Sequence, residues 1–68
     1  VTKIGSGGHQ VRRIQRSLNA AIHAELPVTG LFDQATTRAV RTYQRGRGLP
    51  RTGVVSTGTW AALQRGLL

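Results

Sequence analysis

The sequence predicts an all-α fold, a compact three-helix domain with two short extended repeat loops and an internal pseudo-repeat. Three observations carry that expectation. A pattern spanning residues 26–40 recurs at 49–63. Three segments place apolar side chains at helical spacing. The chain has 68 residues and no cysteine, so a single core must hold by helix packing alone, and residues 1–68 are expected to form one domain.

Gly5-Ser6-Gly7-Gly8 reads as a flexible approach to helix one, with Ser6 or Gly8 near its cap. Val11, Ile14, Leu18 and Ile22 then fall within an arc of roughly 80°, at about 100° per residue. His9, Arg12, Arg13, Arg16 and His23 lie on the opposite side, so helix one is expected over about 9–23. The repeat follows, with LPVTGLFDQATTRAV at 26–40 and LPRTGVVSTGTWAAL at 49–63. In each copy Pro fixes the approach and Thr-Gly makes a turn. Two apolar residues extend from it, Leu31-Phe32 or Val54-Val55, and Asp33 or Ser56 caps the next helix. Helix two is expected over about 34–46, with Thr36, Ala39, Val40 and Tyr43 inward and Arg38, Arg41 and Arg45 outward. Gly46 and Gly48 end it. Helix three is expected over about 57–67, with Trp60, Leu63 and Leu67 on one stripe and Arg65 opposite. Gln15, Gln44 and Gln64 each follow an inward apolar residue by one position.

Net charge is +8, and nine of the ten cations are Arg. Such a chain is attracted to polyanions, whether nucleic acid, anionic lipid, or the phosphates and carboxylates of a bacterial wall. Catalysis is disfavoured. Glu25 and Asp33 are the only carboxylates, and a paired-carboxylate hydrolase would need both. Ser17, His23 and Asp33 are not brought together by any spacing, so no nucleophilic triad is indicated. His9 and His23 lack a third ligand, which argues against a metal site. The glycines at 5–8 are not followed by Gly-Lys-Ser/Thr, so no phosphate-binding loop is read there. No enzyme activity, metal or cofactor is expected. Both LPVTG and LPRTG match the sortase sorting pentapeptide, but each opens a helix instead of preceding a membrane segment. No apolar run approaches a bilayer span, and a chain starting at Val1 is expected to be a piece of something longer. Trp60 and Tyr43 could stack on sugars or bases, yet their helical phase favours core positions, and Phe32 matches Val55 as a packing residue.

Gly5, Gly8, Val11, Ile14-Gln15 and Leu18 begin an ordered set of residues. Gly30-x-Phe32, Thr36, Ala39-Val40 and Tyr43-Gln44 continue it, and Gly48-Leu49, Gly53-Val54-Val55 and Thr59-Trp60-x-x-Leu63 complete it. Over about residues 5–67 this set resembles the peptidoglycan-binding domain family of bacterial cell-wall enzymes. The resemblance implies a three-helix fold and a non-catalytic module that holds a covalently linked cell-wall enzyme on its polymer. It also implies a secreted location, in the wall or periplasm. The sequence departs from the family pattern at Thr29 and Thr52, where Asp is common, and at Asp33 and Ser56, where Gly is frequent. The stretch from Asn19 to Val28 lacks the usual glycine. A nucleic-acid-binding three-helix domain is the alternative, resting on charge.

The expected site is a shallow groove between the two repeat loops and the adjacent helix ends. Arg47 and Arg51 would clamp carboxylates there. Thr29, Thr52, Ser56 and Thr57 would bond amides or hydroxyls, and Leu31 or Val54 would cover a methyl group or a sugar face. The outer arginines would add a general, salt-sensitive attraction, and the strong like charge favours a monomer.

Overall fold

The computed structural model describes residues 2–66 and contains three helices: α1 His9–Ile22, α2 Gln34–Gly46 and α3 Thr57–Gly66. The expected inward Leu67 lies outside the described residues. Helix α1 is the common partner, packing against both α2 and α3. Its Val11, Ile14 and Leu18 are fully buried against Phe32, Val40, Tyr43, Val55 and Leu63. The apolar stripes of the sequence are therefore the inner faces of the helices. Helix α1 ends one residue earlier than expected, because His23 turns left-handed at φ 53° and closes the helix through its N–H to the Asn19 carbonyl.

Two polar residues sit at the centre of the fold. Gln15 and Gln44 are each 1% exposed, and each grips the Thr-Gly turn that follows its helix. The Gln15 carbonyl oxygen accepts from the Thr29 and Gly30 N–H groups at 3.0 and 3.1 Å. Its amide nitrogen donates to the Leu31 carbonyl at 3.0 Å and to Thr36 Oγ1 at 3.1 Å. Gln44 repeats the arrangement, accepting from Gly53 N–H at 3.0 Å and donating to the Val54 carbonyl and Thr59 Oγ1 at 3.0 and 3.1 Å. Gln64, grouped with these two by its sequence context, is exposed.

Each turn glycine is fixed from outside as well. Gly30 and Gly53 have φ of +82° and +74°. A Cβ at either would lie 3.0 Å from the Nε of the arginine lying across it, Arg12 or Arg41. Backbone conformation and close approach both demand glycine.

The exits from α1 and α2 differ. Gly48 takes the left-handed conformation after α2, and Leu49 N–H returns to the Gln44 carbonyl at 2.8 Å. After α1 there is no glycine, so His23 and Glu25 take it instead, with φ 53° and 56°. Asn19 holds this longer excursion by a double bond to Leu26, donating to its carbonyl at 2.9 Å and accepting its N–H at 2.7 Å.

The approach to α1 is not a loose tether. Residues 2–8 run as a strap across both loops. Thr2 and Val55 exchange backbone bonds at 3.0 and 2.7 Å. Gly5 N–H reaches the Phe32 carbonyl at 3.0 Å, Phe32 N–H reaches Ser6 at 2.9 Å, and Gly8 N–H reaches Gly30 at 2.9 Å. The extended loops present free backbone groups, and the strap pairs them.

Asp33 caps α2 through Thr36 N–H at 3.0 Å and also accepts from the Thr36 hydroxyl at 3.0 Å. These bonds, the backbone one foremost, hold its carboxyl below the usual carboxylate range.

Replacing Gln44 by Met keeps the shape but leaves Gly53 N–H and the Val54 carbonyl without their partner. Denaturant unfolding should show a loss of about 2–4 kcal/mol, and Gln15→Met should behave alike. Glu25→Gly should instead stabilise by about 0.5–1 kcal/mol, since the native φ suits glycine better; a lower melting temperature would refute this. Because Asp33 titrates lower when folded, its ionised form contributes above its unfolded pKa, and that contribution is lost as pH falls through the folded value. Melting curves should show Asp33→Asn less stable than wild type at neutral pH, with the gap closing in acid.

Candidate functional site

Residues of the second loop are shared between two separate hollows. Pro50, Thr52 and Val54, with Leu49 and Ser56, line an open concavity of about 370 Å³, mostly apolar. Arg51 instead joins Arg41, Thr42 and Arg45 around a second hollow of about 400 Å³. Ser56 stands between the concavity and a narrower cleft of about 170 Å³, which it borders with Gln10, Thr57 and Trp60.

The eight residues expected at one groove are distributed over the surface. Thr52, Val54 and Ser56 come together, and Thr57 is adjacent through the cleft. Arg51, from the same loop, lines the other hollow. Arg47 is separate from it, lying over the Tyr43 ring at 5.9 Å and beside Ala21 and Ile22. Thr29 and Leu31 belong to the first loop, where Leu31 is 64% exposed. The strap runs from Val55 to Gly30 and spans the space between the loops with its own backbone.

The two turn threonines are also partly committed. Thr29 Oγ1 accepts from Leu31 N–H at 3.2 Å. Thr52 Oγ1 accepts from Val54 N–H at 3.2 Å and donates to the Val54 carbonyl at 3.3 Å. Their hydroxyls shape the turns. Tyr43 is buried as its phase predicts, but Trp60 is only half-buried. It sits in the first turn of α3, at the margin of the core, and Arg13 covers its ring at 5.6 Å.

The grouping of Arg41 and Arg45 with Arg51 was not apparent from the sequence, where the two helical arginines read as a solvated stripe. One signal was present. Arg12, Gln15 and Arg16 recur as Arg41, Gln44 and Arg45, each set preceding a Thr-Gly turn. Among the described residues no cluster of three or more His, Cys, Asp or Glu could hold a metal, and no helix is long and apolar enough to cross a membrane.

Residues 7–63 match the family described as "Putative peptidoglycan binding domain". Among solved structures, the chain is similar to the SleB N-terminal domain, with a TM-score of 0.92 and 27% identity over 97% of this chain and 90% of that one. No curated protein matches it significantly. The repeated turn architecture and the extent of the family match agree: the chain belongs to the peptidoglycan-binding domain family.

Proposed function

We propose that this peptidoglycan-binding module is non-catalytic, and that it holds a covalently linked cell-wall enzyme on its polymer, outside the cell in the wall or periplasm. The contact face is the second loop. The observation that carries this is the concavity beside Val54, whose walls are set by a turn that Gln44 fixes from within. A preformed apolar hollow edged by hydroxyls suits a stem-peptide methyl group or a sugar face. Ser56 and Thr57 supply the polar rim, where amides and sugar hydroxyls can bond. Thr29, Leu31 and Arg47 lie outside this face; Leu31 is an accessory apolar contact on the first loop.

Such a small interface binds weakly by itself. Attachment to an enzyme converts weak binding into retention, because each release leaves the module near further repeats of the same polymer. The arginine surface adds long-range attraction that salt screens.

The test is co-sedimentation with peptidoglycan stripped of anionic polymers, over a salt series, with duplex DNA in parallel. Wild type should sediment with the wall at high salt. Val54→Asn should weaken that binding by about fivefold at every salt concentration, from loss of apolar contact. Arg38→Gln should weaken it only at low salt. Binding that disappears with salt, or DNA binding that is stronger than wall binding, would overturn the assignment.

A further inference from the structure

The hollow formed by Arg41, Arg45 and Arg51 is distinct from the apolar concavity and has chemistry of its own. Three arginines line one space of about 400 Å³. Among the described residues neither side-chain carboxylate, Glu25 or Asp33, lines it, and Asp33 is engaged in capping α2. Thr42, the fourth lining residue, donates its hydroxyl to the Arg38 carbonyl at 3.0 Å, so donors into the hollow come from the arginines. Arg41 lies across Gly53, its Nε 3.0 Å from where a Cβ would stand.

The first repeat provides an internal comparison. Arg12 lies over Gly30 as Arg41 lies over Gly53, and Arg16 corresponds to Arg45. Val28 stands where the second repeat has Arg51. The third cation is therefore particular to the second loop.

We infer that Arg41, Arg45 and Arg51 form an anion subsite for a phosphate ester carried on a saccharide. A carboxylate is planar and singly charged, and one guanidinium already satisfies it through two parallel bonds. A phosphate monoester offers three terminal oxygens in a tetrahedral array and a charge near −2. It can accept from three guanidinium groups at once and neutralises more of their charge. The inference deepens the wall-binding reading and rests on it for the source of the ligand, since a phosphorylated sugar would lie on the same polymer as the group in the concavity.

The experiment follows arginine Nε–Hε resonances of the isotope-labelled domain during titration with N-acetylglucosamine 6-phosphate. Inorganic phosphate, N-acetylglucosamine, acetate and duplex DNA are run at matched ionic strength. The sugar phosphate and phosphate should move Arg41, Arg45 and Arg51 on one saturating curve, about tenfold tighter than acetate. N-acetylglucosamine should leave them unmoved. Arg51→Val, which installs the residue of the first repeat, should weaken the phosphate titration about tenfold. Acetate equal to phosphate would overturn the ligand class. Equal movement of Arg12 and Arg16, with phosphate or with DNA, would overturn the site by reducing it to diffuse charge. Sedimentation of Arg51→Val with phosphate-free peptidoglycan separates the two readings. Retained binding there, with a flat phosphate titration in wild type, sinks the subsite and spares the wall-binding function.

Discussion

A tight turn folded against a helix brings inward-facing backbone N–H and carbonyl groups that water cannot reach, and each needs a partner. Gln15 and Gln44 meet that need because a side-chain amide carries an acceptor and a donor side by side. The acceptor takes the glycine N–H, and the donor reaches the next carbonyl and the threonine of the following helix. Glutamate would present two acceptors and a buried charge, and methionine neither group. Much else depends on this clamp. It sets where the chain leaves the turn, and so sends Phe32 and Val55 into the core. It also positions Asp33 and Ser56 at the starts of α2 and α3. Through Thr36, the first clamp continues into the helix cap itself, since the hydroxyl that accepts from Gln15 donates to Asp33.

How much of this was legible in the sequence varied with the range of the interaction. The helices were readable because their signals are local: apolar spacing in α1 and α2, and the Asp33 cap. The turns were readable from Pro and Thr-Gly. In the sequence Gln15 reads as the neighbour of an inward residue and not as a core residue, although its helical phase is only about 20° outside the apolar arc of α1. Residue type outweighed phase, and the partner that makes burial tolerable is fifteen positions away. The strap was misread for the same reason. A glycine-rich stretch looks flexible until the loop edges that bind it are known. At the candidate site, the sequence groups Thr52, Val54 and Ser56 because they share a loop, whereas Arg51 meets Arg41 and Arg45 only through the tertiary fold.

The two repeats agree in the residues of the clamp and diverge at most outward positions. Gln, the turn Thr-Gly and the helical Thr are identical in both, and these residues take part in the clamp. The separation from glutamine to turn glycine nevertheless differs, fifteen positions in the first copy and nine in the second. The extra chain lies in the excursion after α1, where Asn19 supplies by side chain the order that Gly48 supplies after α2 by backbone conformation. A clamp that fixes only the turn leaves the preceding connection free to vary in length. It also leaves the outward positions free, so Val28 and Arg51, Leu31 and Val54, or Asp33 and Ser56 can differ without disturbing the core.

This separation of interior from exterior bears on how a domain of this size can bind at all. Fixing a loop at the moment of binding carries an entropic cost that a small interface cannot easily offset. Here the loop is ordered beforehand, by a buried amide on one side and a paired strap on another, and that cost falls on folding instead. The outward arginines can then be chosen for their ligand, since solvent screens their mutual repulsion and none is needed in the core. The second loop accordingly lines both an apolar hollow and a cationic one. On the proposed reading, a polymer carrying both kinds of group engages them together, and the two contacts reinforce each other as linked sites.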